Sequence, residues 1–346
     1  MLGPLERVTS TARLSAPRTL SYEATRVHRV CGCSNEWPLG ARAEYRRPII
    51  GFLSPTSAGS YDHILAGFRN GLKETGYVDG QNVELEYRWA DDDYDRLPEL
   101  AAELVRKSVS IIVTASGTPT ALAAKAATTT IPILFVIGTD PVNVGLVDSF
   151  NRPGRNLTGI SLLTTAMAEK RFELLCELVP SASVVGVIVN PANSVTQPIV
   201  DRMQAAAKAV QRKMVVLNVS NEADFDVVFE LAKQNGVAAL VTSDDPILVN
   251  HRVKLTKLAL QYSIPAVYSN RDMVLAGGLM AYGTNYADTF RQIGVYAGRI
   301  LNGESPSNLP VMQPAKFDFV VNKKVAAAMG LDIPPSLMMR ADEVIE

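Results

Sequence analysis

Short apolar runs alternate with amphipathic segments from residue 47 onward, and this alternation predicts strands followed by helices. Continuous apolar runs are typical of parallel strands that are buried on both faces. Segments with apolar residues three and four positions apart are typical of helices that cover such a sheet. The predicted strands of the first half are Ile49–Leu53, Val83–Trp89, Val109–Val113 and Ile133–Ile137, and the predicted helices are Tyr61–Thr75, Asp91–Lys107 and Thr118–Thr128.

The second half of the chain repeats this order. The motif VVGVIVNP at Val184–Pro191 echoes IIGFLSP at Ile49–Pro55. The motif IPAVY at Ile264–Tyr268 echoes IPILF at Ile131–Phe135 at nearly the same offset. This period is too long for a solenoid and indicates one domain used twice. We therefore predict an α/β fold of two Rossmann-like lobes, each with a doubly wound parallel sheet.

Ligands of open α/β sheets bind beyond the carboxyl ends of the strands. Polar loops follow six of the predicted strands: Ser54–Ser60, Thr114–Thr120, Gly138–Val142, Asn190–Ser194, Ser243–Asp245 and Tyr268–Arg271. One such loop is an ordinary turn, but six at corresponding strand ends predict a shared cleft. The candidate ligand-binding residues are Ser54, Thr56, Ser57, Tyr61, Ser116, Gly117, Thr118, Gly138, Thr139, Asp140, Asn190, Asn193, Ser243, Asp244, Tyr268 and Tyr282.

These side chains offer recognition chemistry. The hydroxyl groups of Thr114–Thr120 stand at a predicted helix start, where free N–H groups favour an anion such as a carboxylate. Asp140 and Asp244 can accept hydrogen bonds from an ammonium group. The candidate tyrosines supply apolar faces with polar tips. A zwitterion with an apolar side chain is one ligand that fits this combination.

Composition and motifs disfavour other functions. The chain has 346 residues, enough for two domains, and a net charge of −1, which argues against bulk nucleic-acid binding. His63 and His251 have no partner signature, and no nucleophile elbow, phosphate loop or dinucleotide fingerprint occurs. Asp244 and Asp245 provide too few oxygen ligands for a metal site and suit a helix cap or a cationic ligand group. We expect no enzyme activity, no cofactor and no metal.

The first 45 residues differ from the rest. Residues 1–35 are rich in Arg, Ser and Thr without sustained periodicity, which is typical of a disordered segment. Ala41–Ala43 has the small-x-small form of a signal-peptidase site, but the apolar stretch that precedes such a site is missing. The motif alone leaves two explanations open, a wrongly chosen start or frameshift and a chance match.

Several longer stretches carry a family resemblance. They include IGFLSPTSAGSY, TASGTPTALAAKAATTTIPILF, GTDPVNVGLVDSFNRPGRNLTGIS and the segment from Gly67 to Val105. In combination they make Arg47 to about Met339 resemble the ABC transporter substrate-binding proteins of the tryptophan-binding type, which are type I periplasmic binding proteins. WPLGARA resembles the end of that family's signal peptides, and this favours a wrong start over a chance match.

The resemblance implies a bilobed protein that closes on a small solute, an aromatic amino acid in some members, and delivers it to a membrane permease. It implies a multi-strand hinge at Leu157–Leu163 and Gly278–Thr284, a periplasmic location and a monomer. The implied domains are a mis-started segment at 1–45, a first lobe at 46–160 plus 284–305 and a second lobe at 161–283 plus 306–346. Tyr286–Leu301 would then return to the first lobe.

Two alternatives use similar lobes. A LacI-like regulator would need an N-terminal helix-turn-helix, which Pro4, Pro17 and Pro38 would interrupt. A two-lobed transferase would need a catalytic base and a nucleotide-phosphate loop, and the sequence contains neither signature. The transport function is therefore the interpretation that the sequence favours.

Overall fold

The computed structural model describes residues 47–58, 62–115, 117–162 and 164–346, and of His63 the backbone alone. The predictions for residues 1–45, Tyr61 and Ser116 lie outside the described residues. Residues Arg46–Glu346 form one compact unit. In the described part of the chain, no helix combines the length and the apolarity needed to cross a bilayer.

The first lobe is built on a five-stranded parallel sheet with the strand order β2-β1-β3-β4-β5. Its elements are β1 (Ile49–Ser54), α1 (Asp62–Glu74), β2 (Glu84–Trp89), α2 (Leu97–Arg106), β3 (Ile111–Thr114), α3 (Thr118–Ala127), β4 (Ile133–Ile137) and β5 (Leu157–Ser161). Side chains alternate between two apolar layers. Ile50 and Phe52 pack with α1, whereas Leu53 packs with α2 and α3. The predicted burial on both faces is confirmed for β1, β3 and β4, whereas the edge strand β2 is only partly buried.

The second lobe has a seven-stranded sheet with the order β12-β11-β10-β9-β8-β6-β7. Its first elements are α4 (Thr164–Leu178), β6 (Val184–Val189), α5 (Thr196–Ala209), β7 (Lys213–Asn218), α6 (Asp224–Gln234), β8 (Ala239–Thr242), α7 (Pro246–Asn250), α8 (Arg252–Gln261) and β9 (Ala266–Tyr268). The remaining elements, one of which returns to the first lobe, are α9 (Arg271–Leu275), β10 (Met280–Thr284), α10 (Tyr286–Leu301), β11 (Phe317–Asn322), α11 (Lys323–Ala328), α12 (Pro335–Arg340) and β12 (Glu343–Ile345). The prediction of two doubly wound lobes is confirmed.

This second sheet is not wholly parallel. β11 runs antiparallel to β10, with Thr284 opposite Phe317. The chain reaches β11 from the first lobe, so it enters the sheet beside the carboxyl end of β10 and can only run back. An antiparallel pair needs no crossover helix, which explains why none separates these two strands within the second lobe.

The helix α10 packs on the first lobe, where Phe290 and Ile293 share a core with Phe68 of α1. The two helices approach so closely that a Cβ atom at Gly71 would stand 1.8 Å from the carbonyl oxygen of Arg291. This approach explains the glycine and ties residues 286–301 to the first lobe.

The domain boundary at residue 306 differs from the prediction. The segment 306–312 packs on the first lobe, because Leu309 and Val311 are buried in its cores. The hydroxyl group of Thr158 donates to the carbonyl of Leu309 at 2.7 Å, and Met312 N–H donates to Gly159 at 2.9 Å. The chain therefore crosses between the lobes near residues 162, 285 and 313–316, and the last crossing comes later than expected.

The predicted helix at Asp91–Lys107 also starts later. Asp91 and Asp92 have φ angles of 54° and 66°, outside the right-handed helical region. The N–H of Asp92 donates to Pro55 at 2.7 Å, which holds this loop against the end of β1. A short 3-10 turn at Tyr94–Arg96 precedes α2. The acidic run therefore forms part of the rim at the strand ends.

Candidate functional site

A cavity lies between the lobes at the carboxyl ends of the parallel strands, where ligands of open α/β sheets bind. It spans about 600 Å³, part of it open to solvent. Its lining in the described part of the chain consists of Ile64, Gly117, Thr118, Gly138, Leu162, Thr164, Asn193, Val195, Asp244, Pro246, Val249, Asn270, Asp272 and Tyr286. Both lobes contribute, so ligand binding and lobe closure are linked.

The first-lobe wall contains the N-terminus of α3. Gly117 is the N-cap residue, with a φ angle of 89° and a ψ angle of 139° that favour glycine. Glycine has no side chain to cap the helix, and Gly117 and Thr118 both line the cavity, so the positive end of the helix dipole lies at this wall. The hydroxyl groups of Thr118 and Thr139 share a 2.7 Å hydrogen bond there. This wall suits a negatively charged group.

The second-lobe wall contains the carboxyl group of Asp244, which follows β8. Its Oδ2 accepts a 2.8 Å hydrogen bond from the hydroxyl group of Tyr286, which belongs to the first-lobe helix α10. Burial raises the pKa of Asp244, while the charge of Arg171 and the Tyr286 hydrogen bond oppose that rise. Asp272 at the start of α9 adds a second carboxyl group. This wall suits a cationic group.

The neighbouring carboxyl group, Asp245, has a structural role. Its side chain caps α7 by accepting from the N–H of Ile247 at 3.0 Å. It also accepts from Nδ2 of Asn193 at 2.7 Å and from Nδ2 of Asn190 at 3.3 Å. Burial raises its pKa to about 6 against these hydrogen bonds. Of the two predicted roles, the helix cap is therefore found at Asp245, whereas Asp244 lines the cavity.

The rest of the lining is mainly apolar. Ile64 and Leu162 come from the first lobe and the crossing, and Val195, Pro246 and Val249 come from the second lobe. Removing such surface from water favours an apolar ligand group. Tyr286 is an aromatic residue of the same lining. The cavity therefore combines two polar poles with an apolar interior.

Direct contacts join the lobes beside the cavity. Nδ2 of Asn250, at the end of α7, donates to Oδ2 of Asp92 at 2.6 Å. The hydroxyl group of Ser57 donates to Oδ1 of the same asparagine at 3.4 Å. Nε2 of His251 lies 3.6 Å from the Asp92 carboxylate. These contacts hold the rim in a closed arrangement.

Five of the predicted site residues line the cavity, namely Gly117, Thr118, Gly138, Asn193 and Asp244. Thr139 and Asp140 line a neighbouring recess that shares Gly138 with it. The carboxyl group of Asp140 accepts from the N–H groups of Val142 and Asn143 at 2.8 and 3.2 Å and so caps its own turn. Both N–H groups donate to Oδ1, so an ammonium group would have to compete with them for that oxygen.

The other described candidates lie off the cavity lining. Ser54 and Thr56 are buried and share a 3.2 Å hydrogen bond. Asn190 and Ser243 are buried in the second lobe, where Asn190 supports Asp245.

The two candidate tyrosines that the structure describes, Tyr268 and Tyr282, pack in the hydrophobic cores of the second lobe. Tyr268 is 1% exposed, and its ring packs with the buried residues of the β8 layer. Desolvation raises its phenolic pKa. Tyr282 stacks on Phe317 with ring centroids 6.4 Å apart. The apolar faces expected from these tyrosines are supplied at the cavity by aliphatic residues and Tyr286.

Several residues that line the cavity were not among the predicted site residues. Tyr286 stands two residues beyond the predicted crossing segment Gly278–Thr284, so its position at the lobe boundary was a usable signal. Asp272 stands one residue beyond the predicted loop Tyr268–Arg271. The aliphatic lining residues could not be identified from the sequence, because they have the same apolar character as residues of the hydrophobic core.

The chain is similar to known proteins over most of its length. The sequence model of the family described as ABC transporter substrate binding protein matches residues 49–345. The tyrosine-binding protein of Clostridioides difficile is 28% identical over 282 residues, which are 82% of this chain and 81% of that protein.

Two solved structures allow the conformation to be compared. An ABC domain from Streptococcus pneumonia in complex with L-Trp is 26% identical, with a TM-score of 0.78 over 86% of this chain and 100% of that one. A ligand-free, open substrate binding protein from Clostridium difficile is also 26% identical, with a TM-score of 0.63 over 86% of this chain and 99% of that one. The overall arrangement of this chain is therefore more similar to the L-Trp complex.

Proposed function

This chain belongs to the family of ABC transporter substrate-binding proteins, and we propose that it captures an aromatic amino acid in its interlobe cavity for delivery to the permease of an ABC importer. The observation that carries the proposal is the pairing of opposite poles across one cavity. The N-terminus of α3 with Thr118 stands in the first lobe, and Asp244 stands in the second.

An α-amino acid matches these poles with its own two charges. Its carboxylate would accept from the hydroxyl group of Thr118 at the N-terminus of α3, because the positive end of a helix dipole favours an anion. Its ammonium group would donate to Asp244, because charge-assisted hydrogen bonds to a carboxylate are strong. Such a ligand would contact both lobes, so binding would favour the closed arrangement.

The apolar lining supports the choice of side chain. Ile64, Val195 and Val249 offer surface to a large apolar group, and Tyr286 offers a ring. Two relatives point the same way, since one is named for tyrosine binding and another was solved with L-Trp. We therefore place tryptophan and tyrosine first among the candidate ligands.

The same family membership supports the rest of the proposal. We propose that the protein acts outside the cytoplasm, as a monomer that presents a free cleft rim to its permease. We also propose that it is not an enzyme. The described lining offers no histidine, cysteine or lysine side chain to act as a nucleophile or general base, and its carboxyl group at Asp244 suits binding.

Calorimetric titration of the purified chain tests the proposal. We expect tryptophan or tyrosine to bind, and tryptophan amide and indole-3-propionate, which lack one charged group each, to bind at least about tenfold more weakly. Leucine serves as the aliphatic control. At 100 times its dissociation constant, a ligand raises the free energy of unfolding by about 2.7 kcal/mol, which thermal unfolding detects.

The two analogues test the carboxylate contact and the ammonium contact of the ligand separately. Weak binding of both analogues beside tight binding of tryptophan would support contacts at both ends. Equal affinity for tryptophan and indole-3-propionate would remove the role of Asp244. Absence of binding by every aromatic amino acid would overturn the proposed ligand class.

A further inference from the structure

The first turn of α10 places a tyrosine of the first lobe at the second-lobe wall of the cavity. Asn285 is the N-cap of this helix, because its Oδ1 accepts from the N–H of Asp288 at 2.8 Å. Its Nδ2 also donates to Oδ1 of Asp318, on strand β11 of the second lobe, at 2.9 Å. Tyr286 follows directly, so the backbone that carries its side chain is fixed at the boundary between the lobes.

Tyr286 contacts the proposed acceptor of the ligand ammonium group. Its hydroxyl group donates to Oδ2 of Asp244 at 2.8 Å, a normal length for a hydrogen bond between two oxygen atoms. Both residues line the same cavity, and they belong to different lobes. The hydrogen bond therefore stands where a ligand would meet the two walls.

The two adjacent carboxylates after β8 are held in different ways. Asp245 accepts from three donor groups of its own lobe. In the part of the chain that the structure describes, the side chain of Asp244 accepts from Tyr286 of the other lobe. The last torsion of an aspartate side chain has broad minima, so a carboxylate without such a donor rotates easily. The orientation of Asp244 thus depends on the first lobe.

We infer that Tyr286 is a positioning residue for the ligand, whose hydroxyl group holds Oδ2 of Asp244 so that the carboxylate is oriented to receive the ligand ammonium group. The inference rests on the proposed function, in which that ammonium group contacts Asp244. A carboxylate accepts several hydrogen bonds at once, so the tyrosine does not displace the ligand. Holding the acceptor in place before the ligand arrives lowers the cost of binding.

The position of this pair across the cleft has a consequence for selectivity. Because donor and acceptor belong to different lobes, the amine site is complete in the closed arrangement. A ligand with an ammonium group therefore stabilises closure more than the same ligand without one. A tyrosine that merely joined the lobes would instead support both ligands equally, so the two roles predict different ligand dependence.

Calorimetry of Tyr286→Phe with tryptophan and indole-3-propionate distinguishes these roles. The substitution removes the hydroxyl group and keeps the aromatic ring. We expect the ratio of the two affinities to fall about tenfold in favour of indole-3-propionate, as for loss of a hydrogen bond to a charged group. Any loss that the two ligands share reports closure. An unchanged ratio would overturn the inference.

The same substitution in the Asp244→Asn background tests whether Tyr286 acts through Asp244. We expect Tyr286→Phe to change tryptophan affinity less than about twofold there, because the amide that replaces the carboxylate does not attract an ammonium group by its charge. A tenfold loss in this background as well would show that Tyr286 acts independently of Asp244 and would overturn the inference.

Tyr296→Phe is the matched control. Tyr296 lies on the same helix, and its hydroxyl group donates to the carbonyl oxygen of Pro310 at 2.9 Å. Neither residue belongs to the described lining of the cavity. We expect this variant to bind both ligands like the unchanged protein. A selective loss of tryptophan binding here would show that the effect of Tyr286→Phe comes from a disturbed α10, and the positioning role would fall.

The two proposals fail separately. If tryptophan binds and the affinity ratio stays the same in Tyr286→Phe, the proposed function stands and Tyr286 has no positioning role. If the unchanged chain binds neither tryptophan nor tyrosine, the proposed function fails. The ¹³Cζ NMR resonance of Tyr286 in the ligand-free chain, identified by its loss in Tyr286→Phe, then reports the contact by itself. A shift of this resonance in Asp244→Asn supports the hold on Asp244, and an unmoved resonance overturns it.

Discussion

Nδ2 of Asn250 in the second lobe donates to Oδ2 of Asp92 in the first lobe at 2.6 Å, although 158 positions separate the two residues. Asp92 reaches across because its φ angle of 66° turns the loop after β2 toward the cleft. Asn250 ends the short helix α7, which also carries the lining residues Pro246 and Val249. This contact therefore connects the ligand cavity to the closed rim.

Replacing Asn250 by Ala is expected to favour the open arrangement. A hydrogen bond to a carboxylate contributes about 1.5–3 kcal/mol, so we expect ligand affinity to fall roughly tenfold through faster dissociation. Small-angle scattering with and without tryptophan, combined with stopped-flow dissociation, measures both effects. Asn235→Ala, at an exposed helix end in the same lobe, is the control and should change neither. Unchanged dissociation in Asn250→Ala would contradict the role of this contact.

Gly138→Ala is expected to prevent full closure. A Cβ atom at this first-lobe position would stand 2.5 Å from Oγ1 of Thr164 and 3.5 Å from Cγ1 of Val195, both in the second lobe. Because this clash exists between the lobes, we expect weaker ligand binding, by about tenfold or more, without a large change in thermal stability. The double variant with Thr164→Ala removes the closer atom and should recover affinity. Failure of that rescue would argue against a clash between the lobes.

Gly117→Ala is expected to disturb the anion-binding end of the cavity. The φ and ψ angles of 89° and 139° at Gly117 strain any other residue by about 1–3 kcal/mol, so the loop before α3 must shift. We expect reduced stability together with a loss of ligand affinity. Gly236→Ala, at a φ angle of 66° away from the cavity lining, is the matched control and should lose stability alone. Equal affinity in the two variants would argue against carboxylate binding at α3.

The pH dependence of stability tests the environment of Asp245. Its folded-state pKa of about 6 lies above the ordinary value of 3.8. The folded state therefore binds the proton more tightly, and this group's contribution to stability improves as the pH falls from about 6 to 4. Urea unfolding across this range should show the unchanged protein gaining stability relative to Asp245→Asn as the pH falls.

Much of the fold could be predicted because its signals are local. The strand Ile133–Ile137 and the helix Tyr286–Leu301 were predicted with the bounds that the structure has. Strand burial, helix faces and the repeated order of elements depend on periodicity along the chain, which is readable without tertiary information. The late start of α2 was missed because the acidic run 91–93 resembles a helix start but is held by the end of β1.

The site could be predicted less completely, because side-chain direction depends on packing. Asp244 and Asp245 are adjacent and chemically identical, yet Asp244 lines the cavity and Asp245 caps α7. Tyr268 ends a strand in the expected place, but its ring packs inward.

The sequence by itself determined that this protein has two similar α/β lobes with polar loops at their strand ends, because hydrophobic spacing and turn chemistry act over short stretches. Tertiary structure alone decided which of those loop residues meet across the cleft. The pairs Asp92 with Asn250 and Asp244 with Tyr286 form only when the two lobes close on each other. Desolvation in the closed cleft then raises the pKa of the Asp244 carboxyl group.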